Sequence, residues 1–390
     1  MELAGFDFAA RTRIVFGAGA LARAGALARE LGGRRVFLVT DPGLVAAGHA
    51  ERAAAALRAA GCELATFADV SEDPDARDVE RCALAAREAR PELFVGLGGG
   101  SAIDVAKGAA MLLANGGRMQ DYWGFGKTRQ PLLPLIAVPT TAGTGSEVQS
   151  YALIADETTH QKMACGANDA APRVALLDPE LTLTCPRFVT ACAGLDALGH
   201  ALETAVTRKR TELSALFSRD AFRLLSANFA RVLAEPANLE ARGAMLLGAT
   251  WAGLAIEHSM LGAAHALANP LSARCGLAHG LAVGLGLGAV VRFNAVDPLA
   301  RARYAELARA GGLARRAHDD AGAVETLLEW LAGCLSAAGL EPALAEHGVR
   351  AELVPALAEE AARQWTGQFN PRAVGQSELE ALLGSLLARG

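Results

Sequence analysis

The strongest constraint on the fold is a change of pattern near Cys185-Pro186. Before it, short apolar runs alternate with helix-periodic stretches. From Phe188 to the end the chain is helix-periodic, rich in Ala and Leu, and carries no strand signal. RVFLVT (35–40) reads as a buried strand and LVAAGHAERAAAALRAAG (44–61) as a helix. LATFADV (64–70), LFVGLG (93–98), LLPLIAVPTT (132–141) and VALLD (174–178) read as further strands. Helices repeated between strands require a parallel sheet with crossovers. The expectation is an α/β domain over residues 1–185 and an all-helical domain over 186–390, a length that accommodates two cores.

Composition narrows the class. Apolar residues make up 52% of the chain and charged residues 20%, with a net charge of -5 and no basic run, which argues against nucleic acid as a partner. No stretch of 18 or more apolar residues occurs, so no membrane span is expected, and LAVGLGLGAVV (281–291) reads as a buried helix. MELAGFDFAARTR at the start contains acids and lacks the apolar core of a signal peptide. Seven cysteines without a Cys-x-x-Cys do not form a disulfide framework, and a reducing cytoplasm is the expected setting.

Three segments of the first half carry a nucleotide-type signal. In LFVGLGGGSAIDVAK, a strand runs through Gly98, Gly99 and Gly100 into a helix beginning near Ser101. Such a turn offers backbone N–H groups and a positive helix end to an anion, with a pyrophosphate as the natural guest. It also reads as a tight strand-to-helix turn, and it departs from the dinucleotide fingerprint because Ser101 stands where a third glycine would. PTTAGTGSE (139–147) offers the hydroxyls of Thr140, Thr141, Thr144 and Ser146, a polar cradle for phosphate and ribose or a plain Gly/Thr turn. Asp41 follows its strand directly. A carboxylate there accepts ribose hydroxyls and repels a 2'-phosphate, favouring NAD over NADP, while Asp41-Pro42 is equally a good helix start. The acid precedes the glycines, so the sheet order must differ from the usual dinucleotide fold.

In the second half, Asp196 and His200 lie four apart in GLDALGHALE, on one face of a helix. His265 and His279 lie fourteen apart, which in unbroken helix is roughly 21 Å. Asn269-Pro270 and Gly276 are expected to supply the break that brings them together. One carboxylate and three imidazoles suit Fe2+ or Zn2+. Alone, an Asp-x-x-x-His pair is more often a solvated or hydrogen-bonded helix pair than a ligand pair, and a lone His in an apolar helix such as His265 is usually a satisfied core histidine. His258, seven residues before His265, would share its face if the intervening segment were helical.

Together these segments identify a family. VTDPGL, GGGSAIDVAK, VPTTAGTGSEV, GLDALGHALE, the His265/His279 segment with HG at 279–280, RFN (292–294) and NPR (370–372) resemble the iron-containing (group III) alcohol dehydrogenases over nearly the whole chain. The resemblance implies a dehydroquinate-synthase-like fold with its active site between the domains. It implies hydride transfer between NAD(P) and a small alcohol or aldehyde, and a homodimer or larger assembly. By position, Asp196, His200, His265 and His279 match the metal ligands, and Gly98, Gly99, Gly100, Ser101 and Asp104 the pyrophosphate loop. Thr140, Thr141 and Thr144 match the nicotinamide-side loop, Lys162 a cofactor-contacting lysine, and Asp41 the position that selects NAD.

Two positions depart from the family pattern. Many members have a histidine four residues after the third ligand, proposed to help proton transfer, where this chain has Asn269, which cannot carry a proton. Asn269, one turn beyond His265, is expected to contact the nicotinamide ribose or the substrate, so that Asn269 and His265 form the catalytic pair. Many members also read Pro-Asn-Pro where this chain has Glu72-Asp73-Pro74. A sugar acid, a phosphonate aldehyde or a maleylacetate-type compound are the rival substrates, and a dehydroquinate-synthase-like lyase the rival reaction.

Overall fold

The computed structural model describes residues 5–159 and 161–387. The first four residues of the N-terminal stretch and the last three residues of the helical half therefore lie outside the described residues. Ala9–Cys185 form one compact unit, and the segment ending at Phe8 joins Pro186 onward in the other.

The first unit contains β1 (Arg13–Phe16), β2 (Arg35–Val39), β3 (Glu63–Phe67), β4 (Leu93–Gly98), β5 (Gly124–Phe125), β6 (Leu135–Pro139), β7 (Tyr151–Ala155), β8 (Lys162–Gly166) and β9 (Val174–Leu177). Its helices are α1 (Ala24–Glu30), α2 (Pro42–Ala46), α3 (His49–Ala59), α4 (Ala76–Ala89) and α5 (Gly100–Asn115). Six strands form a parallel sheet in the order β1-β9-β6-β4-β2-β3. Both faces are covered. Val36, Leu38, Val95 and Leu97 pack with Leu27 and Leu57 of α1 and α3, while Phe37, Val39 and Phe94 pack with Val79 and Val105 of α4 and α5. Burial on both faces explains why these strands read as unbroken apolar runs.

The sheet grows outward from β2 to β3, then in the opposite direction from β4 through β6 and β9 to β1. The direction reverses between β2 and β4. In open α/β sheets a ligand binds at the carboxyl ends of the strands flanking such a reversal. Here those ends carry Asp41 and Gly98–Gly100, which reconciles the acid-before-glycine order with a nucleotide site.

Several local expectations need correction. The helix read over 44–61 is two helices, because Gly48 takes a left-handed conformation with φ 79°. β1 carried no signal since only Val15 of its four residues is buried at this sheet edge. β7 and β8 pair antiparallel and, with β5, form a second small sheet. The join between this sheet and α5 is a fully buried lysine. Lys107 Nζ lies 3.3 Å from Asp104 Oδ1 and donates to Ser146 O, Ser146 Oγ and Tyr151 O at 2.7 Å. Asp104 in turn accepts from the Ser146 hydroxyl and from Leu153 N. Removing one partner of such a buried pair typically costs about 3–5 kcal/mol, because the other charge is left uncompensated.

The second unit contains α6 (Arg187–Val206), α7 (Glu212–Ala234), α8 (Leu239–Glu257), α9 (Ala263–Cys275), α10 (His279–Asn294), α11 (Pro298–Ala310), α12 (Asp320–Ala338), α13 (Val354–Ala362) and α14 (Gln376–Leu387). Every residue of α6 from Gly194 to Val206 is buried, so this helix is enclosed by its neighbours. Residues 281–291 form a largely buried helix within α10. Pro270 does not break its helix: α9 runs through it, and the turn toward α10 is made at Gly276, left-handed at φ 68°. His258 caps the end of α8 and packs on Phe8 and Phe217, so it does not continue the face that carries His265.

Candidate functional site

The first unit assembles the nucleotide-type residues around the end of β4. Gly98 has φ 153°, and a Cβ there would lie 2.7 Å from Ala102 Cβ, so only glycine permits the turn. A Cβ on Gly100 would lie 2.8 Å from the Thr144 side chain, and one on Gly99 3.4 Å from Thr141 Oγ1. The glycine backbone therefore lies directly against the threonines of the 139–147 loop. Thr140 is buried, its N–H donating to Gly98 O at 3.0 Å. α5 starts at Gly100, with Ser101 as its second residue, and its N-cap Gly99 supplies no side chain. Its first-turn amides thus face the Gly/Thr loop with the helix dipole behind them.

Asp41 is the helix start that its position also suggested, with its second oxygen turned to the glycines. Oδ1 accepts from Leu44 N at 3.0 Å as the N-cap of α2, while Oδ2 lies 3.3 Å from where a Cβ on Gly98 would stand. One oxygen caps a helix and the other faces the glycine turn. Asp104 has a different task from its neighbours: its oxygens hold Ser146, Lys107 and the backbone of β7, fixing the loop from behind. Lys162 is ion-paired with Asp73, a non-glycine residue at φ 55°. The lysine and the Glu72-Asp73-Pro74 departure are thus one feature.

The second unit brings Asp196, His200, His265 and His279 together. Asp196 Oδ1 lies 3.4 Å from His200 Nε2, 3.3 Å from His265 Nε2 and 3.7 Å from His279 Nε2. The tightest trio is Asp196, His265 and His279, whose ligand atoms lie within 4.8 Å of one another. His200 joins through Asp196, its ring stacked on that of His265 with centroids 4.8 Å apart. Bonds of about 2.1 Å in a tetrahedral ion place neighbouring ligand atoms about 3.4 Å apart. The three contacts to Asp196 match that edge, so the residues fit a borderline divalent ion.

Close backbone approach makes the convergence possible. Asp196 and His200 share a face of α6, and His279 opens α10. A Cβ on Gly280 would lie 2.0 Å from Cys192 O, so the glycine lets α10 settle on the α6 backbone beside Asp196. Burial by itself would raise the pKa of Asp196. The nearby His200, the hydrogen bond with His265 and the neighbouring His279 outweigh it and lower the pKa. Burial likewise disfavours a charged His265, but Glu203 and Asp196 outweigh it and raise its pKa.

Glu203 is a residue that sequence reasoning passed over. Its Oε2 lies 2.6 Å from His265 Nδ1 and accepts from Gly262 N at 3.1 Å, and its Oε1 accepts from Ala264 N at 2.6 Å. The signal was present: Asp196, His200 and Glu203 stand at i, i+4 and i+7, one stripe of one helix. Asn269 lies four residues after His265 on α9, its Nδ2 donating to Gln364 Oε1 at 2.9 Å.

Residues 11–179 match the family described as "Iron-containing alcohol dehydrogenase", and residues 190–387 match "Fe-containing alcohol dehydrogenase family, C-terminal". The chain is similar to the NAD-dependent methanol dehydrogenase of Bacillus methanolicus, 31% identical over 373 residues, covering 96% of this chain and 97% of that one. The crystal structure of a 1,3-propanediol oxidoreductase superposes with a TM-score of 0.95 at 29% identity, covering 98% of this chain and all of the other. The sulfoacetaldehyde reductase of Bifidobacterium kashiwanohense, solved in complex with NAD+, superposes with a TM-score of 0.90 at 30% identity, covering 99% and 100%.

Proposed function

The chain belongs to the iron-containing alcohol dehydrogenase family, and from that premise we propose how its residues divide the reaction. It is a metal-dependent oxidoreductase that transfers a hydride between NAD(H) and a small alcohol or aldehyde. The observation that carries the site assignment is the approach of three histidine Nε2 atoms to Asp196 Oδ1 at 3.3–3.7 Å. These four residues would hold a divalent ion, which when bound would supply polarisation of the substrate oxygen, and bound NAD(H) would supply or accept the hydride.

The residues themselves position and exclude. Asp196, His200, His265 and His279 hold the ion from three separate helices, so the point at which the substrate oxygen binds is fixed by packing. Gly98–Gly100 and Ser101 offer amides to the pyrophosphate, and Thr140, Thr141 and Thr144 line its loop. Asp41 Oδ2 takes the adenosine ribose and repels a 2'-phosphate. Lys162 reaches the cofactor from its pairing with Asp73. Asn269, anchored by Gln364, would hydrogen-bond the nicotinamide ribose or a substrate hydroxyl, and as an amide it would not itself carry the proton.

We also place the enzyme in a reducing cytoplasm and read it as a homodimer. All seven cysteines are free, and exposed Phe16, Trp123 and Phe125 are surfaces suited to a partner subunit. Among the described residues, no helix is long and apolar enough to cross a membrane. Light scattering should give twice the 40.2 kDa chain mass, and a value at the chain mass itself argues against the dimer.

His200→Ala should strip most of the ion and lower kcat/KM by more than about 100-fold, beyond the loss typical of an outer-sphere partner. Metal analysis beside steady-state rates checks this, and full activity in a demetallated variant ends the assignment. Asp41→Gly should raise the NADP/NAD ratio of kcat/KM by at least about tenfold, equivalent to ~1.4 kcal/mol. A wild type that prefers NADPH overturns the role of Asp41. Asn269→His adds a group that titrates near neutrality, so the pH–rate profile should gain a new inflection at unchanged metal content. An altered metal stoichiometry in that variant instead places residue 269 on the ion.

A further inference from the structure

Glu203 is 2% exposed, carries a carboxylate and is no ligand of the ion, yet three donors from one short segment converge on it. Two are backbone amides at the start of α9, Gly262 and Ala264. That helix lacks a cap of its own, since Gly262 stands at its N-cap. The third donor is the imidazole of His265, one residue further on. A third amide of the same turn, Ala263 N, donates to Asn370 Oδ1 at 3.3 Å. Asn370 is held in turn by Asn294, whose Oδ1 accepts from Asn370 Nδ2 at 2.7 Å. A Cβ on Gly262 would lie 2.9 Å from Asn370 Oδ1 and 3.1 Å from Glu203 Oε1, so the segment is clamped with no space to spare.

A helix cap explains the two amides but not the histidine. An ionised carboxylate is acceptor-only, so the imidazole atom facing it must be Nδ1–H. Nε2, 3.3 Å from Asp196 Oδ1, is then the nitrogen that gives up its proton when an ion takes its place between the two side chains. We propose that Glu203 is the positioning residue of the metal centre: it holds His265 as the Nδ1–H tautomer with Nε2 presented to the ion, and it pins the start of α9. Ligand orientation and helix docking thereby depend on one carboxylate. The proposal rests on the metal-centre reading above.

Glutamine at 203 separates the two tasks. Its carbonyl oxygen still accepts from a backbone amide, but its NH2 cannot accept from a second donor, so His265 and the amides compete for one oxygen. The metal-free E203Q protein is compared with the metal-free wild type by circular dichroism, then titrated with Co2+ against a chelator while the visible ligand-field band is recorded. The expected result is a folded variant that binds Co2+ about 10–100-fold more weakly with a displaced band. E203D, which keeps the charge, should recover part of the affinity. Wild-type affinity and an unchanged band in folded E203Q overturn the proposal and leave Glu203 as a helix cap. Absence of Co2+ binding by the wild type itself defeats the metal-centre reading, and with it this proposal. Should E203Q not fold, the zinc-loaded wild type decides alone. Long-range proton–nitrogen NMR must show His265 protonated at Nδ1 and metallated at Nε2, and the opposite tautomer overturns the proposal.

Discussion

A helical stretch buried on every side, Gly194–Val206 of α6, carries three ionisable side chains in one line, and the second unit is arranged around that fact. Asp196, His200 and Glu203 all lie within the stretch of α6 in which no residue is exposed. Buried charge is tolerated only when it is paired and hydrogen-bonded. Each of the three finds its partners in later segments: His265 from α9, His279 from α10, and the first-turn amides of α9. The apolar side chains around α6 exclude water, and the polar stripe decides which segments must come close.

Closeness is obtained with small residues. Gly280 permits a backbone-to-backbone approach between α10 and α6 that any Cβ would prevent, and Gly262 lets the Asn370 and Glu203 side chains close on the start of α9. The RFN and NPR segments act at second hand. Asn294 and Asn370 exchange hydrogen bonds through their amides, and Asn370 closes off the turn that Glu203 caps. Arg372 stacks on Phe293 and donates to its carbonyl, holding this wall together.

The first unit uses a different device. Its glycine turn and threonine loop come from consecutive crossovers and meet at the reversal of strand order between β2 and β4. The charge that fixes them is buried behind the turn. Lys107 and Asp104 tie α5 to Ser146 and to β7, so that the amides at the start of α5 and the hydroxyls of Thr141 and Thr144 are presented together. An ammonium with this many oxygen partners has little freedom to move, and a rigid anion site costs less ordering when its guest binds.

The sequence by itself marked the division near Cys185-Pro186, five of the six parallel strands of the main sheet and the residues proposed for the nucleotide and metal sites. Each of these leaves a local mark: apolar runs buried on two faces, glycines at turns, and ligands at helical spacing. It was silent on β1 and misled at Pro270. An edge strand with one buried residue has no periodicity to read, and a proline within a helix removes one hydrogen bond without ending it when neighbouring helices hold the chain. Only the tertiary structure decided that Gly276 alone makes the turn between His265 and His279, that Asp104 faces a buried lysine, and that Lys162 pairs with Asp73. It also decided that Glu203 serves His265 rather than solvent. These are contacts between groups far apart in the chain, and a carboxylate in a helix looks the same in sequence whichever donor it will meet.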